Sequence, residues 1–249
     1  MAKKVIPVSD LPVISSTSPF PDDPEIFTGG TIILMDKPMG WSSFDLVKFV
    51  RNRIPPKKVG HAGTLDPMAT GLLILCSGKA TKSISQIQAM EKRYVTTIRL
   101  GASTPSFDAA TEIDETAEWN HINLSMIEEV LKSEFTGTIS QVPPIYSAIQ
   151  IKGERLYKIA RRGGSVEIEP RDVTIHEINI LNVSLPDIVL DIRCGKGTYI
   201  RSLAHDLGIS LGSRAHMTEL RRSETGGYRV DDAFTPERFE EKMNMLNNG

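Results

Sequence analysis

KVGHAGTLDPMATGLLIL, residues 58–75, is the stretch around which the rest of the sequence is organised. Its first part carries three glycines, which permit backbone conformations that other residues avoid. Pro67 favours an extended conformation for Asp66 before it, so the backbone on both sides of this aspartate is constrained. The apolar run 72–76 then predicts a buried strand. Taken alone, the pattern is typical of a turn in which Asp66 caps neighbouring amides.

GHAGTLDPMATGLL, within this stretch, resembles the central motif of the TruB-type tRNA pseudouridine synthases, whose sole catalytic carboxylate is the aspartate of GTLDP. Five further blocks resemble the family in the family's order: IILMDKPMGWSSFDLV, EKRYVTTIRLG, QVPPIYSAIQIKGERLYKIAR, CGKGTYIRSLAHDLG and TELRRSETGGY. Together the blocks cover about residues 31–228. The central motif is specific by itself, and several blocks in one order leave little room for chance.

Composition and periodicity alone indicate only a mixed α/β or α+β protein. The resemblance implies an α+β fold with a mixed, mostly antiparallel central sheet and flanking helices. It also implies a catalytic domain over residues 29–249, with an RNA-binding insertion at about 143–171. Residues 1–28 hold five prolines and few periodic apolar positions, which predicts an extended or mobile arm. Many family members carry an additional C-terminal RNA-binding domain, and the residues after Arg229 are too few for one.

The charge of the 249-residue chain is distributed unevenly. The formal net charge is −2, which by itself does not indicate a nucleic-acid partner. Residues 48–58, however, contain five Lys or Arg and no acid, whereas acidic residues gather at 103–118 and in the tail from Asp231. If RNA is the substrate, binding must depend on local basic patches. A solvated charged surface remains the alternative interpretation of either cluster.

The two cysteines, Cys76 and Cys194, are far apart and each lies beside an apolar run, which favours a role in core packing. Their spacing matches neither a disulfide framework nor a zinc site, and the sequence offers no cofactor motif. No stretch resembles a signal peptide, and no apolar run reaches the length of a membrane span. The expected location is therefore the cytoplasm.

A helix is predicted after Ser42 or Ser43, either of which can cap it, and the prolines 55 and 56 end it. Its apolar positions recur at helical spacing: Phe44, Val47, Val50 and Ile54. Arg93–Leu100 alternates apolar and polar residues, which predicts a half-buried strand.

Further along, Ala80–Met90 has the pattern of a helix. Ser125 with Glu128 matches a capping box for a helix that continues to about Phe135. Residues 172–183 and 187–194 are predicted to be strands. GKGTYIRSLAHDLG then begins a helix near Thr198.

Four residues acquire roles through the resemblance. Asp66 matches the catalytic carboxylate, acting either as a nucleophile at the anomeric carbon or as a base at the neighbouring ribose carbon. Arg201 matches the family arginine that pairs with this aspartate, although without the resemblance an exposed helical arginine is the better interpretation. Tyr94 matches the tyrosine that packs against the target base, although alternation alone favours a core tyrosine. His61 matches a histidine that fills the space left by the flipped uridine, and otherwise reads as a hydrogen-bonded structural residue.

The resemblance implies that Tyr199 and Leu220 line the pocket. Basic residues near the central loop are candidates for phosphate contacts, together with those of the 143–171 insertion: Lys57, Lys58, Lys92 and Arg93. No cofactor and no metal are expected in this site.

The resemblance implies a tRNA pseudouridine synthase that flips the T-arm uridine at position 55 and isomerises it to pseudouridine. The expected partner is the T-arm stem-loop of tRNA, with no guide RNA, no obligate protein partner and no membrane. Two alternatives stay open: a guide-RNA-dependent pseudouridine synthase, and an RNA-binding or RNA-folding protein without essential catalysis. Pseudouridine formation on a tRNA transcript without guide RNA would distinguish all three.

Overall fold

The computed structural model of the chain describes residues 5–55, 58–147, 149–151 and 153–248. The strands are β1 (Val13–Ile14), β2 (Ile32–Lys37), β3 (Val59–His61), β4 (Thr70–Ser77), β5 (Lys92–Leu100), β6 (Ala102–Ser103), β7 (Glu115–Thr116), β8 (Gly137–Gln141), β9 (Gln150–Ile151), β10 (Glu154–Arg155), β11 (Arg171–Ser184), β12 (Asp187–Cys194), β13 (Ala215–Thr225) and β14 (Tyr228–Arg229). The helices are α1 (Ile26–Gly29), α2 (Ser43–Arg51), α3 (Ile84–Ala89), α4 (Leu124–Glu134), α5 (Leu156–Arg161), α6 (Ile200–Ser210) and α7 (Pro236–Asn248).

The chain divides into two compact units. The first contains the residues up to Tyr94 and those from Arg221 onward, and the second contains Val95–Leu220. β5 and β13 each continue from one unit into the other. The division therefore falls inside two strands, where no change of composition marks it in the sequence.

The strands of the first unit are hydrogen-bonded in the order β1-β2-β4-β13. β2 lies antiparallel to β4, from Ile32 opposite Cys76 to Lys37 opposite Gly71. The start of β4 pairs in parallel with β13, and its end pairs in antiparallel with β3. The apolar run of β4 is fully buried, as a continuous apolar strand predicts, and Leu72, Ile74 and Cys76 belong to the hydrophobic core of this unit.

Residues 5–28 belong to the first unit and pack against it. β1 adds a parallel strand beside β2, and the side chains of Leu11, Ile14 and Phe27 are buried. The hydroxyl of Ser83 donates to the carbonyl of Ile6 at 2.6 Å. The prediction of mobility is wrong for these residues, because several of their widely spaced apolar side chains are buried in the core of the unit, although Val5 and Val13 stay exposed.

Helix α2 is capped by Ser42, one of the two serines that the sequence offers, and the cap is a full capping box with Asp45. The Ser42 hydroxyl accepts from the amide of Asp45 at 3.1 Å, and the Asp45 carboxylate accepts from the amide of Ser42 at 2.9 Å. Its buried apolar face is formed by three residues: Leu46, Val47 and Val50. Phe44, expected on that face, is 61% exposed because it lies on a different side of the helix.

The strands of the second unit are hydrogen-bonded in the order β13-β5-β12-β11-β8. β11 and β12 form a long antiparallel hairpin with two register shifts, and β8 lies antiparallel to the other edge of β11. The predicted alternation of β5 is confirmed, since its even-numbered side chains are buried: Tyr94, Thr96, Ile98 and Leu100. The predicted α+β fold with a mixed, mostly antiparallel sheet and flanking helices is confirmed.

Two helix predictions need correction. Helix α4 is capped by Asn123, whose side chain accepts from the amide of Met126 at 3.1 Å, and not by a Ser125–Glu128 capping box. The predicted helix over 80–90 begins as a 3-10 helix, Gly78–Ser83, before α3. There the hydroxyl of Thr81 donates to the Gly78 carbonyl at 2.8 Å, a contact that competes with regular helix formation.

Both cysteines are buried free thiols, as the sequence indicates. Burial raises the pKa of the Cys76 thiol to about 12. Across the ranges that the structure describes, no helix combines the length and the apolar character needed to span a membrane.

Candidate functional site

Asp66 lies half-buried in a loop that is tied down on both sides. On one side, Leu65 exchanges two hydrogen bonds with the hydroxyl of Ser43, which accepts from the Leu65 amide at 2.8 Å and donates to its carbonyl at 3.0 Å. On the other side, the amide of Gly40 donates to the carbonyl of Pro67 at 2.8 Å. The backbone that carries the carboxylate is therefore held on both sides of Asp66 by the turn before α2 and by the first residue of α2.

The side chain of Lys37 supports the same loop from beneath. Its ammonium is fully buried and donates to the carbonyls of Trp41 at 2.6 Å, Pro38 at 2.8 Å and Pro67 at 3.3 Å. Burial lowers the pKa of Lys37 to about 8, and the nearby charge of Asp66 opposes this shift. Lys37 thus joins the turn before α2 to the residue that follows Asp66.

Arg222 is a second buried cation, with 1% of its surface exposed. Its Nε donates to the carbonyl of Leu72 at 2.7 Å and its Nη2 to that of Gly63 at 3.2 Å. These two carbonyls lie on either side of Asp66 in the sequence, so one guanidinium bridges the beginning and the end of the loop. Gly71 allows the backbone of Arg222 to lie close to β4 at this point, because a Cβ at residue 71 would lie 2.3 Å from the backbone oxygen of Arg222.

The sequence analysis did not identify Lys37 or Arg222 as site residues. Both lie in blocks that carry the family resemblance, DKPMG and TELRRSET, and that resemblance is the only signal that could have found them. A basic residue inside an apolar strand otherwise reads as a side chain that reaches solvent.

His61 ends β3 and is half-buried. Burial lowers the pKa of His61, and the charge of Arg222 acts in the same direction. Its Nδ1 is buried and has no hydrogen-bond partner within the described ranges. Because its pKa is lowered, the imidazole of His61 is neutral at neutral pH, which suits a role in occupying space rather than in carrying charge.

Tyr94 lies on the buried side of β5, with 9% of its surface exposed. Its neighbour Arg93 is half-buried, and the Arg93 carbonyl accepts from the hydroxyl of Ser223 at 3.2 Å. Lys92 is unsuited to a phosphate contact, because it is buried and its ammonium donates to the carbonyls of Gln88 and Met90. The sequence expectation for Lys92 is therefore corrected.

In the second unit, Arg201 is buried at the start of α6 and faces an acid that the sequence analysis missed. Its Nη1 lies 3.4 Å from Oδ2 of Asp108, and both side chains are at most 6% exposed. The guanidinium also donates to the carbonyls of Ser106 at 3.1 Å and Tyr146 at 2.9 Å. Arg201 is thus a buried and oriented residue, not the exposed helical arginine that its local sequence indicates.

Asp108 is itself fixed by its own loop. Its Oδ1 accepts from the Ser106 hydroxyl at 2.5 Å and from the Ala110 amide at 3.0 Å. The preceding Phe107 has a φ of 63°, which is uncommon for a bulky residue. Its ring stacks on His205 with centroids 3.9 Å apart. Since His205 lies one turn after Arg201 on α6, the loop is attached to this helix twice.

Tyr199 lies at the N-terminus of α6 and is half-buried. Its amide donates to Oε1 of Gln141 at 2.8 Å, and Nε2 of Gln141 donates back to its carbonyl at 3.0 Å. The guanidinium of Arg171 lies 5.3 Å from the centroid of its ring. Leu220 is 9% exposed on β13.

Of the other predicted phosphate contacts, Lys58 is exposed and Lys57 lies outside the described residues. In the 143–171 insertion, Arg162 is exposed and pairs with Glu154 at 2.6 Å. Lys152 and the side chain of Arg161 are likewise outside the described part of the chain.

Each unit therefore assembles its own group of site residues. The first brings Lys37, Arg222 and His61 to the loop of Asp66, and the second brings Asp108 and Tyr146 to Arg201. A search of the described residues found no group of three or more His, Cys, Asp or Glu side chains placed to hold a metal ion.

Comparison with known families gives two matches that together cover most of the chain. Residues 51–200 match the model described as TruB family pseudouridylate synthase (N terminal domain). Residues 201–249 match the model of the tRNA pseudouridylate synthase B C-terminal domain.

Curated relatives are similar over almost their whole length. A tRNA pseudouridine synthase B of Flavobacterium johnsoniae is 49% identical over 227 residues, covering 88% of this chain and 99% of that protein. The protein of the same name from Bacteroides thetaiotaomicron is 48% identical over 225 residues, covering 86% of this chain and 93% of that protein.

Solved structures are similar at lower identity. An H/ACA RNP bound to a substrate RNA containing 2'-deoxyuridine matches with a TM-score of 0.67 and 26% identity, covering 94% of this chain. A Cbf5-Nop10-Gar1 complex matches with a TM-score of 0.66 and 28% identity, covering 88% of this chain. This chain spans 62% and 57% of those two chains, less than two thirds of either.

Proposed function

The chain belongs to the TruB family of pseudouridylate synthases and is a tRNA pseudouridine synthase, and we propose that it isomerises the T-arm uridine at position 55 with Asp66 as the catalytic carboxylate. The observation that carries this proposal is the Asp66 loop, which presents a half-buried carboxylate on a backbone anchored by Ser43, Lys37 and Arg222. Such anchoring is what a group needs if it is to meet a substrate atom in a fixed geometry.

Pseudouridine formation breaks the bond between uracil N1 and the anomeric carbon, rotates the base and joins its C5 to the same carbon. An ionised carboxylate serves this chemistry either by attacking the anomeric carbon or by removing the proton of the neighbouring ribose carbon. Asp66 suits both roles, because both require a negative charge beside the sugar. The buried cation of Lys37 lies close enough to Asp66 for their charges to interact, which favours the ionised carboxylate.

The target uridine lies inside a folded loop and must leave its stack before the carboxylate can reach the sugar. Flipping costs a few kcal/mol, which contacts to the flipped base and its neighbours offset. Tyr94 supplies the ring against which the base packs, and its hydroxyl is suited to proton transfer at C5. His61, neutral and half-buried, takes the place that the uridine leaves.

Arg201 is the proposed partner of the Asp66 carboxylate. Its contacts with Asp108, Ser106 and Tyr146 fix the orientation of the guanidinium, and an oriented guanidinium can direct both oxygens of a carboxylate. Asp108 is thus a positioning residue in this proposal. Tyr199 and Leu220 complete the lining of the base pocket.

The proposed substrate is the T-arm stem-loop. Exposed basic residues near the Asp66 loop and on the 143–171 insertion supply phosphate contacts: Lys58, Arg155, Lys158 and Arg162. Lys57, outside the described residues, is proposed for the same role from its place in the sequence. Arg93 is a further candidate. Neither a guide RNA nor a protein partner enters the proposed reaction, and the guide-dependent alternative has weaker support, because the tRNA-specific relatives are far more similar in sequence.

The test is conversion of a uridine-labelled tRNA transcript by pure protein without guide RNA. Wild-type protein should form pseudouridine at one position, and Asp66→Asn should lose turnover by thousands of fold, because several kcal/mol of barrier are added. Binding of tRNA should change no more than a few-fold, since the substitution keeps the size of the side chain. Asp22→Asn, which removes an exposed carboxylate of the same unit, is the matched control. Wild-type turnover by a clean Asp66→Asn preparation would refute the assignment.

A further inference from the structure

A shallow cavity of about 420 Å³ lies along one side of α2, apart from the Asp66 loop. We call its lining the α2 face, formed by six residues: Trp41, Asp45, Lys48, Phe49, Asn52 and Arg53. The rings of Trp41 and Phe49 meet edge to face with centroids 5.6 Å apart, and the guanidinium of Arg53 lies 3.6 Å from the centroid of Phe49. The cavity therefore has an aromatic floor and a polar rim.

Basic residues around the α2 face make this region positive, although the charges of its lining balance. The carboxylate of Asp45 keeps its negative charge while it accepts two hydrogen bonds from Ser42, and it offsets the exposed ammonium of Lys48. Arg53 is paired with Glu240 of α7 at 2.5 Å. The excess of positive charge therefore comes from Arg51 and Lys58. This excess favours an anionic partner over a basic or neutral one.

Large apolar side chains stand exposed beside this positive charge. Phe44 and Met39 are 61% and 64% exposed, and the guanidinium of Arg51 lies 6.0 Å from the centroid of the Phe44 ring. Exposed rings interleaved with cations are typical of proteins that bind single-stranded nucleic acid, in which bases stack on the rings and phosphates meet the cations.

The α2 face is joined to the Asp66 loop by direct contacts. The carbonyl of Trp41 accepts from Lys37, which also donates to the carbonyl of Pro67. Ser43, in the first turn of α2, holds Leu65 by two hydrogen bonds. An RNA that places a nucleotide beside Asp66 thus has the α2 face within reach of its neighbouring nucleotides.

We propose that the α2 face binds an unpaired nucleotide of the tRNA substrate, with its base against Trp41 and Phe49 and its phosphate at Lys48. The volume of the cavity lies within the range of small-ligand sites and suits one nucleoside. Asn52, on the rim, offers an amide that can pair with the edge of the base. This inference rests on the proposed function, since it takes tRNA as the partner, and it adds a binding site that lies outside the base pocket.

Trp41 provides a direct reporter, because the chain has only two tryptophans. In a Trp119→Phe protein, the remaining fluorescence comes from Trp41. Titration with unmodified tRNA should quench this emission, because a base stacked on the indole quenches it, and the titration should follow the binding curve measured by filter retention. Retention of tRNA with Trp41 emission unchanged would overturn the proposal and leave the face to a protein segment or a second copy of the chain.

Two substitutions in the Trp119→Phe background, or in wild type, separate charge from stacking. Lys48→Glu should raise KM for tRNA at least about fivefold with a smaller effect on kcat, and lower the log–log salt slope of binding by roughly one. Lys132→Glu, an exposed lysine on α4, is the matched control. Trp41→Leu should weaken binding by roughly 5- to 150-fold, and Trp41→Phe should restore most of the loss.

The outcomes separate a failure of the α2 face as a binding site from a failure of the proposed reaction. Equal effects of Lys48→Glu and Lys132→Glu on KM would overturn the site while leaving catalysis by Asp66 intact. Conversely, quenching of Trp41 by tRNA in the Trp119→Phe protein, together with a wild-type preparation that forms no pseudouridine, would refute the reaction and keep the site. Circular dichroism of the Trp41 variants checks that each one is folded.

Discussion

Replacement of Lys37 by methionine is expected to change how the stability of the protein depends on pH. The ammonium of Lys37 is fully buried, and burial lowers its pKa from 10.5 to about 8. The unfolded chain therefore binds this proton more tightly than the folded protein does between about pH 8 and pH 10.5. The buried charge reduces stability at neutral pH, and this reduction disappears as the pH rises through that window.

The size of the effect follows from the shift. At about 1.4 kcal/mol per pH unit, the full window corresponds to about 3.5 kcal/mol of unfolding free energy. About 2 kcal/mol of it should appear between pH 7 and pH 9.5. Methionine has a similar length and no titratable group, so the variant lacks this contribution altogether. It also leaves the carbonyls of Trp41 and Pro38 without their donor, which lowers its stability equally at both pH values.

The assay is urea unfolding of wild type and Lys37→Met at pH 7 and pH 9.5. Wild type should gain about 2 kcal/mol relative to the variant between the two pH values, because every other titrating group is common to both proteins. Lys48→Met removes an exposed lysine of the same unit and should leave the difference from wild type nearly constant. Parallel pH dependences of wild type and Lys37→Met would show that the lysine is not a buried cation and would refute the reasoning.

Three further predictions concern the reaction. Tyr94→Phe should bind tRNA almost normally and stall after glycosidic cleavage in single-turnover assays, whereas Tyr94→Leu should also lose about 1–3 kcal/mol of binding free energy. Full activity of both variants would remove Tyr94 from the site. Asp108→Asn removes the buried carboxylate that pairs with Arg201, and it should cost about 3 kcal/mol of unfolding free energy and lower kcat more than it raises KM. Urea unfolding and steady-state kinetics would measure both effects. An isolated T-arm hairpin should be modified with a kcat/KM within about tenfold of whole tRNA, and a difference of hundreds of fold would mean that the acceptor stem is also recognised.

Several features of the molecule follow from short stretches of sequence. The serine cap of α2, the alternation of β5 and the buried run of β4 all depend on residues a few positions apart, so local patterns predict them correctly. The family blocks predict that Asp66 and Arg201 are site residues, and this prediction uses no structural information. The family, the tRNA pseudouridine synthase function and the fold class could therefore be predicted before the structure was known.

The packing of residues 5–28 and the exposure of Phe44 could not be predicted in this way. A high proline content indicates that a segment forms neither a long helix nor a long strand. It does not indicate whether the apolar side chains of the segment will be buried against a distant part of the chain. In the same way, the helical spacing of Phe44 is compatible with two faces of α2, and only the position of the core selects between them.

The sequence by itself predicts which carboxylate belongs to the site, whereas only the tertiary structure determined which residues hold its loop. Lys37 reaches the carbonyl of Pro67 across 30 residues, Arg222 reaches that of Leu72 across 150, and Arg201 meets Asp108 from another part of the second unit. A buried cation is stable only where carbonyls or a carboxylate from distant segments converge on it. Because that convergence is set by strand order and not by neighbouring residues, it has no local signature in the sequence.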